Sequence, residues 1–258
     1  MSKNKNQSDN SMIWNGTGGS PCRNQVGGKA YNLGHLNAVP GIRVPRWICL
    51  TTEFFYEFLG DHRLEYEELL DNYQETSREK ILSLLEQCRF SDAQKKLLRD
   101  TMAQNLDGAE KVAVRSSAVD EDSADQSFAG MMESTLNVST EGEIEKAICD
   151  CYRSCFSPRI MAYRQQHGLI NREIAAAVII QEMVDADFAG VLFTVNPNTN
   201  NPDETLISIV KGLGEQLVSG EEDSMDYVVD LQEQILKDGN SGLSEDVIRT
   251  LARQARII

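Results

Sequence analysis

The stretch Ala175–Glu182, AAAVIIQE, runs through six apolar residues before its first polar side chain. An apolar run this short, ending in β-branched residues and closed by Gln-Glu, predicts a strand buried inside a sheet. Two more strand patterns follow at Ala189–Val195 and Leu206–Val210. The Asn- and Pro-rich stretch NPNTNNPD between them predicts a hairpin connection, and Tyr227–Val229 predicts a further strand. The first half of the chain reads differently. Trp47–Leu50 and Val112–Val114 are short strand patterns, but most of the rest is helical in period. Helices with scattered strands, then a strand-rich region, predict an α+β protein of two lobes, which 258 residues can support.

The helices announce themselves by their caps. Thr52 reads as an N-cap ahead of EFFYEFL. SREKILSLLEQC (77–88) places Ile81, Leu84, Leu85 and Cys88 on one face, and Ser91 with Gln94 forms a capping-box pattern for a helix through Met102. Another helix is predicted over 143–156, and Ser157-Pro158 suits the N-cap and N1 positions of one through Gln166. The opening MSKNKNQSDNS is polar and predicts a disordered tail over 1–20.

Net charge is −15, from 25 basic and 40 acidic side chains. That argues against a nucleic-acid partner, which requires a basic stripe. A small anion held by a few local cations is still permitted, and such a ligand would arrive with Mg²⁺. The apolar run 175–180 is far shorter than the roughly 20 residues a membrane span needs, and no signal-peptide pattern opens the chain, so a cytoplasmic setting is expected. Six cysteines are present. In the 149–155 cluster Cys149 and Cys151 would point about 200° apart on a helix, too far to share one metal. Cys151 and Cys155 read as small core residues.

Three stretches could carry chemistry. VGGKAYNLG (26–34) sets two glycines and Lys29 at a helix start, where backbone N–H groups and an ammonium favour phosphate. The GxxxxGK[ST] spacing is absent, so it is no Walker loop, and a glycine-rich helix start is more often just a turn. VAVRSSAVDEDSADQSFAG (112–130) places Arg115 at the end of the predicted strand. It suits either a structural ion pair with Asp120, Glu121 or Asp122, or an anion-binding position. SFAGMMEST (127–135) reads as a loop or as a flap over phosphates. VIIQEMV (178–184) could offer backbone groups to a purine edge with Met183 against the ring, or could simply be core and solvated strand end. No Ser/His/Asp set and no paired metal ligands emerge.

The ordered series GGKAYNLG, GIRVPRWICLTTEFF, VAVRSSAVDEDSADQSFAG, STLNV, MAYR, VIIQEMV, AGVLFTVNP and GLGEQLVSG resembles the nucleotide-binding domain of phosphoenolpyruvate synthases and pyruvate phosphate dikinases, shared with rifampin phosphotransferases. The resemblance runs from residue 26 to about 230. It implies an ATP-grasp-like fold with ATP held between two lobes, a first lobe over 21–180, and a second over 181–258 that begins with a hinge strand. By similarity Lys29 and Arg115 contact phosphates and serve catalysis, with Ser116 beside them. Gly130, Met131, Met132, Ser134 and Thr135 form the flap, and Gln181, Glu182, Met183 and Val184 bind adenine. The family moves the β-phosphoryl of ATP to a histidine on a separate swivelling domain. Its distal metal-binding segment, closing with a Gln-x-Arg strand, is expected beyond LARQARII, so the second lobe is expected to be incomplete and the chain inactive by itself. A stand-alone nucleotide-binding or interaction module without turnover is the alternative. Lys211 departs from the family, which often has an aromatic residue before GLGE.

Overall fold

The computed structural model describes residues 12–16, 21–118, 122–123, 126–127, 134–170, 174–214, 217 and 223–258. The chain divides into two compact units, one formed by 1–37 and 44–183, the other by 38–43 and 184–258. Residues 38–43, expected within the first lobe, thus group with the second unit.

The first unit is built on a five-stranded antiparallel sheet. Its strands are β1 (Ile13–Trp14), β2 (Trp47–Leu50), β3 (Val112–Ala118), β6 (Ser134–Val138) and β7 (Ala176–Glu182), in the order β1-β2-β7-β3-β6. The two-residue strands β4 (Asp122–Ser123) and β5 (Gln126–Ser127) pair only with each other. The apolar run thus becomes the central strand, hydrogen-bonded to β2 on one side and to β3 on the other. Its side chains alternate between two layers, as the pleat requires. Val178 and Ile180 enter a large aromatic-rich cluster. Ala177 and Ile179 enter a smaller one with Trp47, Cys49, Val26 and Ala30. Both faces are covered, and this is why the sequence shows a continuous apolar run rather than an alternation.

The larger layer is helical. It contains α2 (Thr52–Leu59), α3 (Arg63–Asp71), α4 (Ser77–Gln87), α5 (Asp92–Asn105) and α6 (Glu141–Ser154), with α7 (Pro158–Gln166) beyond. Phe55 meets Tyr66 and Tyr152 edge-on at centroid distances of 5.5 and 4.8 Å, separations that suit aromatic quadrupoles. Complete capping boxes at Ser91/Gln94 and Thr140/Glu143 start α5 and α6. Ser157 accepts from Ile160 N–H with Pro158 in the first turn of α7. One cap differs from expectation. Thr51 holds the N-cap position of α2 while Thr52 is already helical, and their hydroxyls donate instead to the carbonyls of Met12 and Asn24.

The smaller layer is α1 (Arg23–Asn37), which breaks at Gly27, where φ is 74° and ψ 172°. A Cβ on Gly27 would lie 1.9 Å from the Ser117 carbonyl oxygen. Glycine is needed here twice over, for its backbone angles and for the contact of helix with strand.

The second unit carries a four-stranded antiparallel sheet of order β11-β10-β9-β8. The strands are β8 (Phe188–Phe193), β9 (Glu204–Lys211), β10 (Met225–Asp230) and β11 (Ile235–Lys237). The expected hairpin joins β8 to β9. Its turn is closed by Glu204, whose carboxylate accepts from the side chains of Asn196, Thr199 and Asn201. A final helix, α8 (Glu245–Ala255), lays Ile248 and Ala252 on Ile207, Ile209, Tyr227 and Val229.

No disulfide joins any of the six cysteines. Cys151 and Cys155 are buried as core residues and Cys149 is half-buried, and burial raises the Cys88 and Cys149 thiols to about 11. Cys22, one residue ahead of α1, is exposed. Among the described residues no helix is long and apolar enough to cross a membrane.

Replacing Gly27 by alanine is expected to destabilise the first unit by about 4 kcal/mol, combining a glycine-only conformation with a backbone clash. Urea denaturation followed by circular dichroism measures this. A loss below about 1 kcal/mol would show that α1 does not approach β3 in this way.

Candidate functional site

The sequence places Arg115 at the end of a strand, but the structure does not. β3 continues through Ser116, Ser117 and Ala118, each in register with β7. Arg115 is therefore the middle residue of a seven-residue strand. The polar residues can extend the strand because Ser117 finds partners in the neighbouring layer. Its hydroxyl donates to the Val26 carbonyl at 2.7 Å and accepts from Ala30 N–H at 3.1 Å. In an unbroken helix the Ala30 amide would bond directly to Val26. At the Gly27 break the Ser117 hydroxyl is spliced into that bond, a recognised way to bend a helix.

Residues two apart on a strand share a face, so Arg115 projects on the same side as Ser117, into the layer that holds α1. Lys29 reaches the same place from α1, its ammonium donating to the Ser116 carbonyl at 3.1 Å across 87 positions of sequence. Two cations thus adjoin one stretch of β3. The Ser116 side chain is fully buried and alternates to the opposite face, so it is the Ser116 carbonyl that Lys29 meets. Ser134 is the register partner of Arg115 on β6 and is exposed, while Thr135 pairs with Val114. Gly130, Met131 and Met132 lie outside the described residues, as do the side chains of Asp120, Glu121 and Asp122 offered as ion-pair partners for Arg115. Among the described residues Arg115 has no ion-pair partner.

Gln181–Val184 lies at the far end of β7. Gln181 is buried, its side-chain amide donating to the Pro45 carbonyl. The Glu182 carboxylate is gripped from both sides by Arg46, at 2.8 and 2.7 Å. The same guanidinium also donates to the Asp107 carbonyl at 2.7 Å. Fork-on-fork pairing of this kind is the strong form of the interaction. It holds the Glu182 carboxyl below its ordinary value of 4.5. The backbone amides of Glu182 and Met183 are used as well, on the carbonyls of Arg46 and Lys111. Met183 is half-buried and Val184 exposed, and the division between the two units falls between them.

Lys211 ends β9 and is exposed, and the turn after it places Gly212 at φ 74° with its amide on the Asp187 carbonyl. Among the described residues no group of three His, Cys, Asp or Glu is arranged to hold a metal. Sequence reasoning missed Ser117 and Arg46. Ser117 stood inside a quoted motif, yet its role exists only through α1. Arg46 and Glu182 are 136 positions apart with nothing local to pair them.

Residues 23–255 match the family model described as the pyruvate phosphate dikinase AMP/ATP-binding domain. The chain is 35% identical over 210 residues to the rifampicin phosphotransferase of Bacillus cereus, covering 76% of this chain and 23% of that protein. It is 32% identical over 218 residues to a protein of Methanocaldococcus jannaschii named "Probable phosphoenolpyruvate synthase", covering 79% and 18%. A protein of the same name from Archaeoglobus fulgidus is 34% identical over 231 residues, covering 80% and 29%. The chain therefore spans between about a fifth and a third of the length of these relatives.

The Arg46–Glu182 fork sets a pH expectation. A carboxyl held below its ordinary value contributes stability that is complete above about 4.5 and is lost as pH falls through the lowered folded value. Following the Glu182 carboxyl by NMR should give a midpoint below 4.5 that moves up toward 4.5 in Arg46→Ala. An unchanged midpoint would mean that the fork does not persist in solution.

Proposed function

The chain belongs to the pyruvate phosphate dikinase AMP/ATP-binding domain family, and we propose that it binds ATP on the first unit, with the phosphates at Lys29 and Arg115. The observation that supports this reading is that the Lys29 ammonium reaches the β3 backbone one residue from Arg115. Lys29 comes from the broken start of α1 and Arg115 from the middle of β3, and the ammonium rests on the carbonyl of Ser116. Phosphoryl transfer asks little covalent chemistry of a protein. It asks for positioning and for charge to be neutralised on the transferring oxygens, which an ammonium and a guanidinium supply. Ser134, exposed in register with Arg115, offers a hydroxyl on the same side.

In this reading the Gln181–Val184 stretch receives the adenine. The Glu182 and Met183 amides are committed to the carbonyls of Arg46 and Lys111, so among the described residues the Val184 amide is the donor this reading assigns to a ring nitrogen. The β-phosphoryl passes to a histidine on a separate swivelling domain of a longer chain, and the final acceptor is set there. The ATP-grasp assignment of the fold belongs to the same proposal and is supported by the family match. Mg²⁺ enters with the triphosphate, as is usual for an ion that keeps its waters and takes phosphate oxygens as ligands. The described residues offer no cluster of three protein ligands for it, so no step is assigned to a protein-held ion.

Calorimetric titration with Mg·ATP and with adenosine tests the site. Arg115→Ala and Lys29→Ala should each weaken ATP by about 10- to 100-fold, the worth of a charge-assisted hydrogen bond, and leave adenosine within about twofold. A wild-type chain that binds neither ligand, or variants that weaken both ligands equally, would overturn the phosphate assignment. Formation of AMP when a histidine domain is added, lost in Arg115→Ala, would extend the reading from binding to transfer.

A further inference from the structure

We propose that Ser117 is a positioning residue that sets the distance between the Lys29 ammonium and the Arg115 guanidinium. The inference rests on the phosphate site just described and concerns how that site is held together. The two cations lie on different elements, so something must fix α1 against β3. The Ser117 hydroxyl is placed to do so. It stands two residues from Arg115 on the same face of β3, and it completes the interrupted bond between Ala30 N–H and Val26 C=O. Val26, Ala30 and Ser117 are all fully buried, so no water is at hand to replace the hydroxyl. Gly27 adds the close approach, since only a residue without a Cβ can lie against the Ser117 backbone. Lys29 is one residue before Ala30, the amide that Ser117 holds. A hydroxyl that both donates and accepts fixes the bend of α1, and with it the direction from which the ammonium arrives.

Removing the hydroxyl orphans the buried Ala30 N–H and leaves the Val26 carbonyl only the weak 3.7 Å bond from the Cys49 thiol. The start of α1 then has to shift to satisfy them, and Lys29 shifts with it. Arg115, on the strand, stays where the sheet puts it. Ser117→Ala should therefore separate the two cations without removing either of them.

Two measurements on the full chain decide this, one of them needing no nucleotide. Competitive acylation read by mass spectrometry reports how exposed Lys29 is relative to the other lysines. Its labelling should rise about threefold or more in Ser117→Ala as the bond to the Ser116 carbonyl is lost. The ratio of ATP to adenosine affinity should fall by about tenfold in the same variant, while adenosine binding holds. Ser117→Thr, which restores a hydroxyl, should recover both. Ile81→Val, a core deletion in the opposite layer, controls for general loosening and should move neither. If Ser117→Ala does not yield folded protein, Ser117→Cys, similar in size and a weak hydrogen-bonding group, carries the same comparison. Lys29 labelling and an affinity ratio that match those of Ile81→Val would overturn the positioning role. Should the wild-type chain fail to prefer ATP over adenosine, the phosphate reading falls, while the labelling still decides whether Ser117 places Lys29.

Discussion

Everything in the first unit is referenced to one strand that is buried on both faces and bonded along both edges. β7 has β3 beside it along its whole length and β2 beside Val178–Gln181, so the middle of the strand has its backbone polar groups paired within the sheet. Its alternating side chains assign residues to two layers of unequal size. Val178 and Ile180 support the aromatic helical layer, and the smaller Ala177 and Ala175–Ala176 end admit close neighbours. On the α1 side, small residues are what let a helix start sit almost on top of β3. The proposed phosphate site depends on that closeness, because it is what lets Lys29 reach the Ser116 carbonyl.

What could be read in advance was whatever is decided locally. Ser91 with Gln94 and Ser157 with Pro158 are complete instructions within four residues, and the structure carries them out. The apolar run 175–180 and the Asn-rich turn likewise needed no distant partner. The extent of β3 could not be read this way. Arg-Ser-Ser looks like the end of a strand until α1 supplies bonds for the hydroxyl of Ser117. β1 is two residues long and exists only by pairing with β2, below anything a periodic pattern can signal. The final helix is a different case. Ser244 ahead of Glu245-Asp246, with Ile248, Leu251 and Ala252 recurring at helical spacing, was a legible signal that went unread.

The charge balance of the chain gains a finer meaning from the structure. Many cations at the surface are engaged by acids, as in Lys95–Glu145, Arg99–Glu141 and Arg253–Glu233. Such pairs are individually weak, yet they keep acidic side chains occupied around the helices. Arg46 is spent in the same manner on Glu182, but with the geometry of a fixed fork. Against that background, a chain of net charge −15 can still concentrate positive potential at a single place. The number of cations matters less than which of them are left facing a ligand.

The distribution of thiols has a practical side. Cys49, Cys88, Cys151 and Cys155 are buried, and Cys149 is half-buried with its proton held until about pH 11. An alkylating dye at neutral pH therefore has one ready target, Cys22. That residue precedes the helix whose bend places Lys29. The native chain thus comes with an attachment point for an optical reporter next to the element of most interest, and no residue has to be engineered to create it.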